Sequence, residues 1–167
     1  MGKVIHKRGI ARAPFENLIK DATKIETRIG YFESAKYSNG TPVAYIATIM
    51  EHGWAGGGIP ARPTMRPTIA RESNNWKVLM GKGANAVANG KKTLNQVMTG
   101  LGLQASGDVR KTIAQITTPP LKQATILKRA NRYASNKGEI TASIGKPLVD
   151  SSLMLSSTTF AVVNRAK

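Results

Sequence analysis

Two histidines and nine acids are the side chains from which this chain could build a catalytic or metal centre. His6 and His52 lie far apart, and neither stands at a metal-ligand spacing. His52 follows Glu51, but neighbouring residues on a helix point in different directions, so adjacency does not make a pair. The acids Glu16, Asp21, Glu26, Glu33, Glu51, Glu72, Asp108, Glu139 and Asp150 are scattered singly, as expected of groups that balance nearby Lys and Arg. Sequence leaves open whether two of them meet in the fold. Asp150-Ser151-Ser152 has residue types found in hydrolase triads but no nucleophile-elbow pattern, and reads as a turn or helix cap. Gly56-Gly57-Gly58 and Gly81-Lys82-Gly83 lack the phosphate-loop spacing, and turn geometry accounts for the glycines. There is no cysteine, which excludes a disulfide scaffold and a thiolate zinc site. The expectation is a chain with no cofactor and no catalytic centre.

Charge points elsewhere. Twenty-five basic residues against nine acidic ones leave +16. Such a surface attracts polyanions and repels copies of itself. Its destination is nucleic acid through phosphate neutralisation, an acidic protein surface, or solvent. Between Asp108 and Glu139 there is no acid, while Arg110, Lys111, Lys122, Lys128, Arg129, Arg132 and Lys137 accumulate. These form the expected partner-facing or DNA-facing surface. Tyr133 is the lone aromatic among them, so a base-stacking platform for single strands is not expected. No helix-turn-helix, zinc-finger or RNA-recognition signature accompanies them, which leaves only backbone attraction to duplex DNA.

The elements that position these groups can be read from periodicity. Residues 1–13 form a basic arm with no apolar secretory segment, and His6 stands where a myristoylation signal needs Ser or Thr. No run approaches the roughly 18 apolar residues of a membrane span. Phe15, Leu18, Ile19 and Ala22 after Pro14 have helical spacing. Ile25, Thr27, Ile29 and Tyr31 alternate with polar residues and predict a half-buried strand. Ser38-Asn39-Gly40 is a turn, with Thr41 the expected N-cap and Pro42 the first helical residue. Val43, Ile46, Ala47 and Met50 predict a short helix ended by Gly53.

A flexible loop is expected at 53–62. Pro63 and Pro67 bracket the start of a helix with Ile69, Trp76, Met80, Ala84 and Val87 as its stripe and a break at Gly90. A second helix runs from Leu94 to about Thr117, with Gly100, Gly102 and Gly107 marking a kink or a close backbone approach. Residues 121–133 predict another helix, 131–145 a flexible loop, and 157–163 a last strand. The expected class is α+β: a small mixed or antiparallel sheet packed against long helices, in a single domain over residues 14–167.

Three stretches, taken in order, carry a resemblance. The first is Tyr37-Ser38-Asn39-Gly40-Thr41-Pro42-Val43-Ala44-Tyr45-Ile46-Ala47 with Met50-Glu51-His52-Gly53. The second is Ile59-Pro60-Ala61-Arg62-Pro63-Thr64-Met65-Arg66-Pro67. The third comprises Pro119-Pro120-Leu121, Thr125-Ile126 and the run from Lys146 to Leu153. Together they resemble bacteriophage neck or tail-completion proteins, minor tail components of the head–tail junction, over roughly residues 25–163. Family members carry an aromatic where His52 and Thr64 stand and Gly where Ser152 stands, and the stretch between Arg129 and Lys146 is longer here.

The resemblance implies a homo-oligomeric ring of sixfold symmetry around a DNA channel. Its neighbours would be the connector and the tail terminator or tube proteins. The location implied is the virion neck or tail, with assembly in the bacterial host cytoplasm. A tail terminator at the top of the tube and a nonspecific DNA-binding protein are the alternatives. The Arg62-Pro63 and Arg66-Pro67 steps present guanidiniums from a stiff backbone, suited to the carboxylates of a neighbour or serving only to set the helix start. The expected subunit-interface set is Arg62, Arg66, Trp54 and Glu51.

Overall fold

The computed structural model describes Glu16 and residues 20–135, 144–149 and 152–165. Residues 20–22 are helical, and the elements then run β1 (Ile25–Gly30), α1 (Val43–His52), a short 3-10 turn (Ala55–Gly57), α2 (Met65–Ala88), α3 (Leu94–Gln115), α4 (Gln123–Ser135), α5 (Leu153–Ser157) and β2 (Thr159–Asn164).

β1 and β2 come from opposite ends of this order and pair antiparallel, from Ile25 opposite Asn164 to Gly30 opposite Thr159. Two strands alone are marginal in water. This sheet is supported by α3. The Thr27 hydroxyl donates to the Met98 carbonyl at 3.1 Å, and Phe160 lies against Gly102, where a Cβ would run into its ring. Among the three glycines flagged in this helix, Gly102 is therefore the close approach, while Gly100 and Gly107 face open space.

α2 and α3 form an antiparallel hairpin joined through Gly90, whose φ of 68° suits glycine. Thr93 and Gln96 make a reciprocal capping box that starts α3. Polar links then fasten the hairpin along its length. Thr68 and Thr112 share a 2.6 Å hydroxyl contact, and the Trp76 indole donates to Asp108 at 2.8 Å. Val97 fills the space left by Gly83. The main core lies on the other side of α3, where Val109 and Ile113 meet Val43 of α1, Leu148, and Met154 of α5.

The chain is thus α+β, with an antiparallel two-stranded sheet packed against long helices. Several local expectations shift. Pro42 is the N-cap and Val43 the first residue of α1, because Thr41 belongs to the preceding turn, its amide donating to Asn39 Oδ1 at 3.1 Å. In α2 the buried position is Thr68, and Ile69 of the expected stripe is 51% exposed. α4 continues to Ser135, so residues 131–135 are helix where the polar composition suggested loop. α5 was not anticipated. The residues of the 1–13 arm lie outside the described residues, as do most of the first expected helix and residues 136–143 of the second loop.

Candidate functional site

Residues 37–67, which hold the first two of the stretches that carry the resemblance, meet the distant third one, from Pro119 onward, in a polar knot. Its centre is the start of α2. A helix leaves its first backbone N–H groups without intrahelical partners. Here one carboxylate takes them. Glu51, at the end of α1, accepts from the amides of Thr64 at 2.6 Å and Met65 at 3.0 Å through Oε2, and from the amide of Arg66 at 3.0 Å through Oε1. The next residue is Pro67, which has no N–H to satisfy. The Arg66 guanidinium donates to Oε1 at 3.2 Å and also to the Glu51 carbonyl. Burial by itself would raise the Glu51 pKa. The three backbone donors and Arg66 outweigh it and hold the carboxyl below its ordinary value of 4.5.

Arg62 forms the second part. It is 5% exposed, donating through Nε to the Pro119 carbonyl at 2.8 Å and through Nη2 to the Pro120 carbonyl at 3.0 Å. Its own amide donates to the Met50 carbonyl at 2.6 Å. Burial lowers its pKa, and the positive Arg129 nearby lowers it further. Arg129, from α4, is the third part. It donates to the carbonyls of Lys146 at 2.8 Å, Pro147 at 3.1 Å and Ile144 at 3.3 Å. The planar guanidinium fork suits such multiple acceptors, and ammonium does not.

Three of the four residues expected at a subunit interface therefore have intrachain roles. Glu51 and Arg62 are buried, and Arg66 answers the carboxylate of its own chain. The Arg62 guanidinium is aimed inward, whereas the Arg66 side chain reaches Glu51 from the surface and stays 61% exposed. Trp54 remains at the surface, 54% exposed. It pairs with Ile59 across a one-residue bridge, and its ring covers Gly56 and Gly57, where side chains would collide with it. Close approach, with Gly58 at φ 60°, explains the glycine run of the 53–62 loop.

The basic set divides in the same way. Arg129 is buried, and Arg110 reaches the Thr158 carbonyl, tying α3 to the start of β2. Lys111, Lys122, Lys128 and Arg132 are exposed, and Lys137 lies outside the described residues. Sequence carried one unused signal for the knot. Glu51 is the sole acid between Glu33 and Glu72, in a stretch where a proline-marked helix start needs an acceptor.

Beside the knot, Tyr37, Ile46, Met50, Leu148 and Met154 line a pocket of about 400 Å³, rimmed by Ser38, Asn39, Thr41 and Arg129. Among the described residues, no group of three His, Asp or Glu could hold a metal, and no helix is long and apolar enough to cross a membrane. His52 sits in the last turn of α1 with Nδ1 3.1 Å from the Thr48 carbonyl. Comparison with known proteins finds no matching family, no matching curated protein and no matching solved structure.

Proposed function

We propose that the chain is a structural virion protein of the neck or tail-completion region of a tailed bacteriophage, a non-enzymatic subunit of a ring that joins the head connector to the tail around the DNA channel. One observation carries this reading beyond the resemblance itself. The three resembling stretches are tied to one another, Glu51 of the first accepting from the second and Arg62 of the second donating to Pro119 and Pro120 of the third, as expected of motifs that define a shared frame. The surface left over is suited to assembly contacts. Tyr45, Trp54, Val78, Leu103 and Leu127 are each more than half exposed, alongside the exposed Lys111, Lys122, Lys128 and Arg132.

The test is the position of the chain in purified particles, by cryo-electron microscopy with mass spectrometry of separated heads and tails. Density for a ring of this subunit at the head–tail junction is the expected result. Its absence from particles, or a place outside neck and tail, overturns the proposal. Interface probes belong on Trp54 and the exposed lysines, because charge reversal at Arg62 or Arg66 would disturb the knot.

The net charge favours nonspecific duplex-DNA binding as the second reading. Binding that weakens steeply with salt supports it, and no binding at low salt removes it.

A further inference from the structure

In the two-stranded sheet, β1 pairs with β2 along one edge only. Hydrogen-bonded and non-hydrogen-bonded residue pairs alternate along an antiparallel ladder. The Arg165 amide donates to the Lys24 carbonyl at 2.7 Å, which makes Lys24 and Arg165 a hydrogen-bonded pair. With the observed register, Glu26 opposite Val163 and Arg28 opposite Ala161 are then hydrogen-bonded pairs as well. Ile25, Thr27 and Ile29 must therefore aim their N–H and C=O groups away from β2, along the open edge. No backbone hydrogen bond to these groups is found among the described residues, and the sheet has only two strands.

The side chains on this edge are two-fold complementary. Glu26 and Arg28 share the face turned away from α3 and form an ion pair at 2.6 Å, with the Arg28 side chain 59% exposed. Thr27 lies between them on the helix-facing side, flanked by Ile25 and Ile29. A second β1 laid antiparallel with Thr27 on a two-fold axis brings Thr27 opposite Thr27 as a hydrogen-bonded pair. It also sets Ile25 opposite Ile29 on the helix side. Glu26 then stands opposite Arg28 of the other copy, twice, at non-hydrogen-bonded positions where cross-strand side chains are closest.

Other alignments keep less of this match: centring on Ile25 sets Glu26 against Lys24 but leaves Arg28 facing Ala22, which is helical. Centring on Ile29 sets Arg28 against Gly30, and a parallel in-register pair sets Glu26 beside Glu26. The outward residues of β2, Thr159, Ala161 and Val163, offer no charge to either group. A lone basic residue on an edge strand keeps copies apart. One acid and one base two positions apart do the reverse.

We infer that two copies of this chain associate through β1, forming a continuous four-stranded antiparallel sheet with order β2-β1-β1-β2. The contact is isologous and independent of the virion role proposed above.

The test is sedimentation velocity of the full chain over a range of concentrations near physiological ionic strength. Wild type forms a dimer. Glu26→Arg places only bases across the axis, and Arg28→Glu places only acids. Each variant keeps its far-ultraviolet circular dichroism and dimerises at least about tenfold more weakly, since like charges directly opposite are destabilising. An equimolar mixture of the two variants restores the dimer, because every cross-strand pair is again of opposite sign.

Hydrogen exchange supplies the second measurement. The Ile25, Thr27 and Ile29 amides exchange more slowly in concentrated than in dilute wild type. A wild type that stays monomeric throughout its soluble range overturns the inference. So do single variants that associate as wild type does, a mixture that stays monomeric, or slowed exchange at Phe160 and Val162 instead.

Discussion

Replacing Glu51 by Gln tests whether one carboxylate holds the start of α2. The substitution preserves shape and removes the charge. If the amide oxygen keeps the Oε2 position, it retains the amides of Thr64 and Met65. The new NH2 group then faces the Arg66 amide and the Arg66 guanidinium, two donors that it cannot satisfy. Hydrogen bonds to a charged acceptor contribute roughly 1.5–3 kcal/mol, and a buried donor left unsatisfied costs about 1–3 kcal/mol. The Arg66 side chain is 61% exposed and recovers part of its loss from water. The expected net destabilisation is about 3 kcal/mol, or roughly 6–12 °C in Tm for a chain of this length.

Urea unfolding followed by circular dichroism measures it as a lower midpoint with an unchanged slope. The pH dependence supplies an independent check. The folded pKa of Glu51 is depressed, so its stabilisation is fully present above the unfolded value near 4.5 and is lost as pH falls through the folded pKa. Protonated Glu resembles Gln, so the wild-type and Glu51→Gln stabilities converge in acid. A variant within about 0.5 kcal/mol of wild type at pH 7 would contradict the capping role, as ordinary surface changes produce no more than that. A gap that persists unchanged into acid would contradict its electrostatic origin.

The remaining predictions concern packing and backbone. Gly102→Ala drives a methyl group into the Phe160 ring and should cost about 1–3 kcal/mol, whereas Gly107→Ala, facing open space, should be neutral or stabilising; equal midpoints for the two in urea would refute the close approach. Ser152 has φ 55°, and Ser152→Gly should raise stability by about 1 kcal/mol by relieving that conformation, an increase visible in thermal melting. Arg62→Ala leaves the Pro119 and Pro120 carbonyls without their donor and should cost about 2–4 kcal/mol, and Arg62→Lys should recover only a minor part, because an ammonium lacks the fork. Full recovery by Lys in denaturant unfolding would show that charge alone matters there.

Much of the architecture is legible from periodicity because it is local. The alternation from Ile25, the run from Leu94 to Ile113 and the breaks at Gly53 and Gly90 each appear as elements or ends of elements. The α+β class follows from their order. Ile69 and Thr68 show where this legibility stops. Hydropathy assigns the apolar residue to the core, but Thr68 is buried because Thr112 supplies a hydroxyl partner from α3. α5 has only five residues, too few for a helical period to register. The left-handed backbone at Ser152 has no hydropathic signature and is readable only from its dihedral angle.

The amino-acid sequence by itself determines the excess of positive charge, the lack of cysteine, and the succession of strand and helices. It does not determine which of the arginines meet solvent. Arg62, Arg66, Arg110 and Arg129 look alike in sequence as bases in an acid-poor chain. Tertiary structure alone aims Arg62 at two proline carbonyls, Arg129 at the chain before α5, Arg110 at Thr158 and Arg66 at Glu51. The physical reason is that a guanidinium is satisfied by backbone carbonyls as well as by acids. Carbonyls occur at every residue and leave no mark in the sequence, so only the folded path of the chain decides which basic residues are structural and which remain for a partner.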